Sequence, residues 1–149
     1  MNKLKELRDN GQIPDITYHI LVKLIERKEK EAKYKKRLSI FGLASMIVYG
    51  ALIYYLFFYK LETTQNFYEF TYVLGDPFLW FLGGAAFIMT IAWNSARKNY
   101  DDADEDYDEL RKEVIDRNYE LWYEQIDWKG KSEVLEFLDK EKDINLYHK

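Results

Sequence analysis

Residues 38–59 read LSIFGLASMIVYGALIYYLFFY, and residues 77–96 read PFLWFLGGAAFIMTIAWNSA. Neither stretch contains an acidic or basic side chain, and about 20 predominantly apolar residues suffice for a helix to cross a bilayer core. A soluble helix as long as the first stretch would normally carry a polar face, which this stretch lacks. The two stretches therefore predict two transmembrane helices. A core helix of a soluble protein is the alternative.

Asp76 and Pro77 mark the start of the second predicted span. The Asp76 carboxylate can accept hydrogen bonds from free N–H groups of the first helical turn, and Pro77 suits the first helical position. An acid at the edge of a span can also belong to a functional site. The order Gly75-Asp76-Pro77 favours the helix cap.

Basic side chains flank both predicted spans on one side. Arg97 and Lys98 directly follow the second span, whereas residues 60–76 contain a single lysine. The juxtamembrane basic set before the first span consists of Arg27, Lys28, Lys30, Lys33, Lys35, Lys36 and Arg37. Positive residues near span ends remain in the cytoplasm. We therefore expect a multi-pass protein of the cell membrane with both termini cytoplasmic.

The composition excludes several kinds of chemistry. The chain has no cysteine, which rules out disulfides, thiolate zinc sites and cysteine nucleophiles. Its two histidines, His19 and His148, lie far apart in sequence, and no phosphate-loop, zinc-protease or serine-hydrolase motif occurs. We expect no catalytic, cofactor-binding or metal site and no enzymatic activity. A membrane enzyme without a recognisable motif is an alternative.

The segments outside the spans differ in charge. Residues 1–37 hold 11 basic and 6 acidic side chains, whereas residues 97–149 hold 10 basic and 17 acidic ones. Helix is predicted over residues 15–37, with Ile16 on its apolar face, and the apolar residues from Ala96 to Val114 have coiled-coil spacing. The pattern predicts an all-α fold. Both transmembrane helices extend into the cytoplasm as an antiparallel coiled-coil-like stalk, followed by a short C-terminal helix.

One register of this stalk matches charges and apolar residues together. Placing Leu38 level with Ala96 brings Lys28 near Asp106 and Lys33 near Asp101. The acidic face opposite the basic set consists of Asp101, Asp102, Asp104, Glu105, Asp106, Asp108 and Glu109. The apolar residues expected to pair are Ile20, Leu21, Leu24, Ile25, Leu110, Val114 and Ile115. Each exposed ion pair contributes only about 0–1 kcal/mol, so the whole set favours this register.

The sequence divides into seven segments. They are an N-terminal segment (1–14), a basic cytoplasmic helix (15–37), transmembrane helix 1 (38–59), an extracytoplasmic loop (60–76), transmembrane helix 2 (77–96), an acidic cytoplasmic helix (97–128) and a C-terminal amphipathic helix and tail (129–149). We expect Leu4 and Leu7 to lie in a loosely held terminal turn. Gly130 predicts a turn, and Ser132 predicts the N-cap of a helix over 133–142. That helix packs on the stalk, lies on the membrane or binds a partner.

Part of the acidic face has the spacing of a calcium-binding loop. Asp102, Asp104, Asp106 and Glu113 fall at positions one, three, five and twelve of such a loop. Position six requires glycine and is occupied by Tyr107, and the helical repeat runs through it. These acids therefore indicate a solvated or basic-paired helix face.

The expected partners are lipids and proteins. Basic residues beside a span attract anionic lipid at the inner face, at about 1 kcal/mol each. Small residues such as Gly83 and Gly84 favour close packing of the two spans or, alternatively, a homo-oligomer. We expect no nucleic-acid binding, because the chain is net acidic. These features indicate a membrane-anchored interaction or scaffold protein that presents its stalk to an unknown cytoplasmic protein. An oligomeric pore or holin-like protein is the alternative.

Two stretches resemble the YpbF-like proteins, which are small, uncharacterised two-span membrane proteins of Bacillus-type bacteria. The stretches are LSIFGLASMIVYG at 38–50 and GDPFLWFLGG at 75–84. The resemblance covers most of the chain, including the charged N-terminal helix and the acidic helical segment. It implies a location in the bacterial plasma membrane and carries over no functional residues.

Overall fold

The structure, a computed structural model, describes residues 2–61, 67–122 and 128–147. Within these ranges the chain is helical and contains no β-strand. The helices are α1 (Asn2–Asp9), α2 (Asp15–Tyr54), α3 (Phe67–Leu74), α4 (Pro77–Asp116), α5 (Asn118–Leu121) and α6 (Trp128–Lys142), and a π-helical segment, Tyr55–Leu61, follows α2. The predicted all-α class is confirmed over the described residues.

The chain forms two compact units. The terminal unit combines Met1–Lys33 with Asp101–Lys149, and the central unit comprises Tyr34–Tyr100. The long helices α2 and α4 contribute residues to both units. The terminal unit therefore joins two segments that are distant in sequence, whereas the central unit is one continuous stretch.

Two helices are long and apolar enough to cross a membrane. They are α2, taken together with the π-helical residues as far as Lys60, and α4. The most apolar 18-residue windows of these helices are only 0% and 6% buried, respectively. The core helix of a soluble protein would be mostly covered by its neighbours. The prediction of two helices of membrane-spanning length is confirmed by length and composition.

The terminal unit has a continuous hydrophobic core drawn from both ends of the chain. Its buried members are Leu4, Leu7, Ile13, Leu21, Leu24, Ile25, Tyr107, Leu110, Val114, Leu121, Val134, Phe137, Leu138 and Ile144. Fully burying one large aliphatic side chain stabilises a fold by about 1.5–3 kcal/mol. Leu4 and Leu7 are 0% and 5% exposed, so α1 is a packed helix. The prediction of a loosely held N-terminal turn is wrong.

The acidic helix is shorter than expected. It ends at Asp116 and is followed by a turn at Arg117 and by α5, so the prediction of one helix through residue 128 is wrong. The Arg117 guanidinium contacts Glu113 and Glu120 on either side of the turn, at 2.7 and 2.9 Å. Beyond the turn, Leu121 is buried in the core. The break in the helix thus adds an apolar side chain to the terminal unit.

The C-terminal helix packs into the terminal unit. It begins at Trp128, so Gly130 lies within its first turn, and the prediction of a turn at Gly130 with a cap at Ser132 is wrong. A Cβ at Gly130 would lie 3.1 Å from the Gln12 carbonyl oxygen, so glycine permits the close approach of these segments. Val134 and Phe137 are buried. Three placements were expected for the C-terminal helix: on the stalk, on the membrane or on a partner. In the structure it packs within the terminal unit, in the same core as residues of α2 and α4.

Candidate functional site

Three members of the basic set contact α4 around Asp106 and Tyr107. Lys30 Nζ lies 3.2 Å from Asp106 Oδ2, and the Arg27 guanidinium donates a hydrogen bond to the Asp106 carbonyl oxygen. Lys28 Nζ lies 4.8 Å from the centroid of the Tyr107 ring. These contacts bring α2 and α4 of the terminal unit together antiparallel, with residue 28 beside residue 107. The predicted register places Lys28 near Asp106; in the structure Lys28 contacts the adjacent Tyr107, and the ion pair of Asp106 is formed with Lys30.

Lys28 is the centre of a partly buried ion cluster. Its ammonium nitrogen lies 3.0 Å from Glu31 Oε2 and 3.6 Å from Asp143 Oδ2. Burial lowers the pKa of Lys28, but the Glu31 carboxylate, the Tyr107 ring and Asp143 outweigh it, so that the pKa is raised overall. Lys28 therefore stays charged and links α2 to the chain beyond α6.

Glu31 is the functional-site candidate that sequence reasoning missed. The residue is 4% exposed, and among the described residues its Oε2 atom accepts no well-aligned hydrogen bond. An uncompensated buried carboxylate is costly, so the ammonium group of Lys28 must supply most of the compensation. One feature of the sequence could have revealed this pair. Glu31 is an acid within the basic run, and it follows Lys28 by three residues, a spacing that places both side chains on one helix face.

Six of the seven apolar residues of the predicted register, all except Ile115, are in the core or packed against it. Leu21, Leu24, Ile25, Leu110 and Val114 are buried, and Ile20 and Ile115 are partly exposed.

The apolar face nevertheless differs from the prediction at its start. Ile16 is 72% exposed and does not belong to it. Thr17 is buried instead, and its hydroxyl donates a 2.6 Å hydrogen bond to the Leu121 carbonyl oxygen. Thr17 can lie inside the terminal unit because the Leu121 carbonyl oxygen, at the end of α5, accepts its hydrogen bond. The sequence of α2 alone does not indicate this acceptor.

The charged sets are mostly at the surface. Asp101, Asp102, Glu105 and Glu109 are exposed, and Asp104, Asp106 and Asp108 are partly exposed. Lys33 is exposed in the terminal unit, and Lys35, Lys36 and Arg37 are exposed in the central unit. Across residues 2–61, 67–122 and 128–147, no group of three acidic or histidine side chains is placed to hold a metal ion. Residues 102–113 lie within α4 rather than in a calcium-binding loop.

A second polar cluster lies in the central unit at the start of α4. Asp76 Oδ1 accepts a 2.9 Å hydrogen bond from the Phe78 N–H, and α4 begins at Pro77, which is the geometry of an N-cap. The other carboxylate oxygen lies 2.7 Å from Lys60 Nζ and accepts a hydrogen bond from the Tyr55 hydroxyl. Lys60, Tyr55 and the Phe78 N–H lower the pKa of Asp76 to about 2. The cluster fixes the end of the π-helical segment to the start of α4.

The sequence matches a known family. The family described as "Protein of unknown function (DUF2663)" matches residues 20–149, and this chain belongs to it. The match includes both long apolar stretches, the basic and acidic segments and α6.

An individual relative supports the same assignment. The chain is similar to "Uncharacterized protein YpbF" of Bacillus subtilis (strain 168), with 27% identity over 132 residues. The alignment covers 88% of this chain and 87% of that protein. The resemblance to YpbF-like proteins is therefore confirmed. No solved structure matches the chain significantly.

Proposed function

We propose that this protein is anchored in the cell membrane by the two apolar helices of its central unit and acts through protein contacts made by its terminal unit. The observation that carries this proposal is the exposed apolar surface of the central unit. Its large exposed side chains include Ile40, Leu43, Met46, Ile47 and Ile53 on α2 and Trp80, Phe81, Phe87, Ile88 and Ile91 on α4. Apolar patches of such extent are rare on soluble monomers, and lipid tails would cover them.

Charge supports an orientation with both termini in the cytoplasm. Lys36 and Arg37 precede the first apolar stretch, and Arg97 and Lys98 follow the second. At the opposite end of the apolar stretches, the positive charge of Lys60 is compensated by Asp76 at 2.7 Å. The excess of positive charge is thus confined to one end, and positive flanks remain inside the cell.

The terminal unit is better suited to binding than to catalysis. Its buried acid, Glu31, is already paired with Lys28. The apolar face of α6 is buried in the core and is therefore not free to bind a partner. The large exposed side chains of this unit include Ile16 at 72%, Tyr119 at 95% and Tyr147 at 53%, so Tyr119 is the most exposed of them. Tyrosine often supplies much of the binding energy in protein interfaces. We therefore assign partner contact to the surface that carries Tyr119 rather than to the C-terminal helix.

Single cysteines test the anchoring and the orientation, because the chain has none of its own. Full-length Gln65→Cys and Glu133→Cys variants are treated with a membrane-impermeant maleimide on intact cells. We expect labelling at position 65 in intact cells and at position 133 only after permeabilisation. Labelling of both positions from the same side, or release of the protein from membranes by alkaline carbonate, would contradict the proposal.

Photocross-linking tests the partner contact. Benzoylphenylalanine is placed at Tyr119 in the full-length protein in cells, and the matched control carries it at Ser132, an exposed position on α6. We expect a discrete cross-linked product from position 119 and none from position 132. Identical patterns from both positions would show that no specific contact is made at Tyr119.

The pore alternative makes a different prediction. A conducting assembly needs a polar lining, whereas the exposed faces of α2 and α4 carry the large apolar side chains named above. We expect vesicles that contain the purified protein to retain an entrapped dye. Rapid leakage that scales with protein load would favour the pore.

A further inference from the structure

A small groove in the central unit lies where the apolar stretches of α2 and α4 meet their charged flanks. Its volume is about 110 Å³. The lining residues are Arg37, Phe41, Ala92, Ser95, Ala96 and Asn99. All six belong to the central unit.

The groove exists because α4 carries small side chains along one face. Ala92, Ser95, Ala96 and Asn99 follow at helical spacing, so they share that face. Ala96 is buried, and the Asn99 side-chain amide is held by a 2.8 Å hydrogen bond from Nδ2 to the Ser95 carbonyl oxygen. On α2, Phe41 supplies the opposing apolar wall. The result is a recess with an apolar wall and hydroxyl and amide groups at its edge.

Arg37 provides a positive charge at this groove. Its guanidinium lies 5.7 Å from the centroid of the Phe41 ring, which holds the cation over an aromatic face. Within the described part of the chain, no carboxylate forms an ion pair with Arg37. Lys60, at the other end of the apolar stretches, is already neutralised by Asp76. The charge of Arg37 therefore remains available to an anion.

We propose that this groove binds the phosphate group of an anionic phospholipid. This inference rests on the membrane anchoring proposed above, because only then does the groove lie at the level of the lipid headgroups. A guanidinium matches the geometry of a phosphate group with paired N–H donors, and the Ser95 hydroxyl supplies a further donor. Phe41 and Ala92 lie toward the apolar stretches and accommodate the start of an acyl chain.

The size of the groove limits what can fit inside it to a group about as large as a phosphate. A volume of about 110 Å³ equals that of a few water molecules, each of which occupies about 30 Å³ in the liquid. Sites for drug-sized molecules measure about 300–1,000 Å³. The groove therefore takes one phosphate group and leaves the rest of its ligand outside, as a lipid anchored in the bilayer allows.

Lipid competition tests the proposal. Full-length protein is reconstituted in vesicles of equal parts phosphatidylglycerol and phosphatidylcholine, extracted gently, and analysed by native mass spectrometry for the lipid that it retains. We expect an excess of retained phosphatidylglycerol, and Arg37→Gln should reduce that excess by at least about tenfold, because it removes hydrogen bonds to the phosphate as well as a positive charge. The control Lys36→Gln removes only the charge, from an exposed neighbour outside the groove, and should reduce the excess by no more than about fivefold.

Further variants separate the site from general charge and from misfolding. Ala92→Leu fills the groove without a change of charge and should also lose the excess, while Arg37→Lys should retain only part of it. Added inorganic phosphate should not displace the lipid. Equal losses in Arg37→Gln and Lys36→Gln, or an unchanged excess in Ala92→Leu, would overturn the headgroup site. Failure of the wild-type protein to float with vesicles would instead contradict the membrane anchoring.

Discussion

The terminal and central units use the same kinds of side chain in opposite ways. In the terminal unit, Leu24 and Leu138 are 0% exposed, whereas in the central unit Ile47 and Phe81 are 64% and 70% exposed. Water drives the first pair into a core, and no comparable core covers the second pair. The contrast is the observation on which the proposed membrane anchoring of the central unit rests. Its mean hydropathy of −0.47 describes neither unit.

The largest expected effect comes from removing core volume in the terminal unit. Leu24→Ala should lower the free energy of unfolding of this unit by about 2–5 kcal/mol, because it leaves a cavity. The exposed Ile47→Ala change in the central unit is the control and should leave the terminal unit intact. Limited proteolysis of the full-length protein in detergent measures the stability of the terminal unit in both variants. Equally fast cleavage of the two variants would contradict the contrast between the two units.

The ion cluster should be the next most sensitive feature. Lys28→Met leaves Glu31 buried without its cation, and breaking such a pair costs about 3–5 kcal/mol when burial is complete. We expect about 2–3 kcal/mol, since the Lys28 side chain is 20% exposed. The double variant Lys28→Met with Glu31→Leu should recover most of the loss in thermal unfolding. No recovery would mean that Lys28 acts through packing instead.

A buried hydroxyl should matter less. Thr17→Val removes the hydrogen bond to the Leu121 carbonyl oxygen and should cost about 1–3 kcal/mol, because that oxygen is left unsatisfied. Thr17→Ser keeps the hydroxyl and should be milder. Hydrogen exchange across α5 reports the difference, and equal protection in both variants would contradict this role of the hydroxyl.

The smallest effect is expected at the residue that follows α6. Asp143 has a positive φ of 55°, and the next N–H, of Ile144, donates to the Leu138 carbonyl oxygen at 2.9 Å. Asp143→Gly should stabilise the terminal unit by up to about 1 kcal/mol, since glycine adopts this conformation without steric cost. Asp143→Ala should destabilise it. A lower unfolding temperature for Asp143→Gly than for the unchanged protein would show that losing the contact with Lys28 outweighs the gain in backbone conformation.

Sequence patterns were sufficient to predict the features of the fold that depend on residues close together in the chain. The two apolar stretches, the start of α4 at Pro77 and the apolar residues around Leu24 and Leu110 could be read from composition, spacing and capping chemistry. The membrane and coiled-coil interpretations, the orientation and the partners stay predictions, because no bilayer or second protein takes part in the fold described here.

The errors arose where a distant segment decides the outcome. Leu4 and Leu7 looked weakly held because α1 is short, and its covering surface comes from the far end of the chain. Gly130 looked like a helix breaker, but it is needed where α6 approaches Gln12. Glu31 looked like one charge in a basic run, whereas the folded chain leaves it only 4% exposed.

The joining of both chain ends in one core has a consequence for biosynthesis. Lys3 of α1 lies over the ring of Phe137 in α6, at 5.8 Å from its centroid, so residues translated far apart in time are neighbours. Residues 34–100 leave the ribosome while this core still lacks α6. Leu4 and Leu7 therefore lack this part of their covering until α6 has been synthesised. Synthesis of α6, and not emergence of the first helices, is the event that completes the terminal unit.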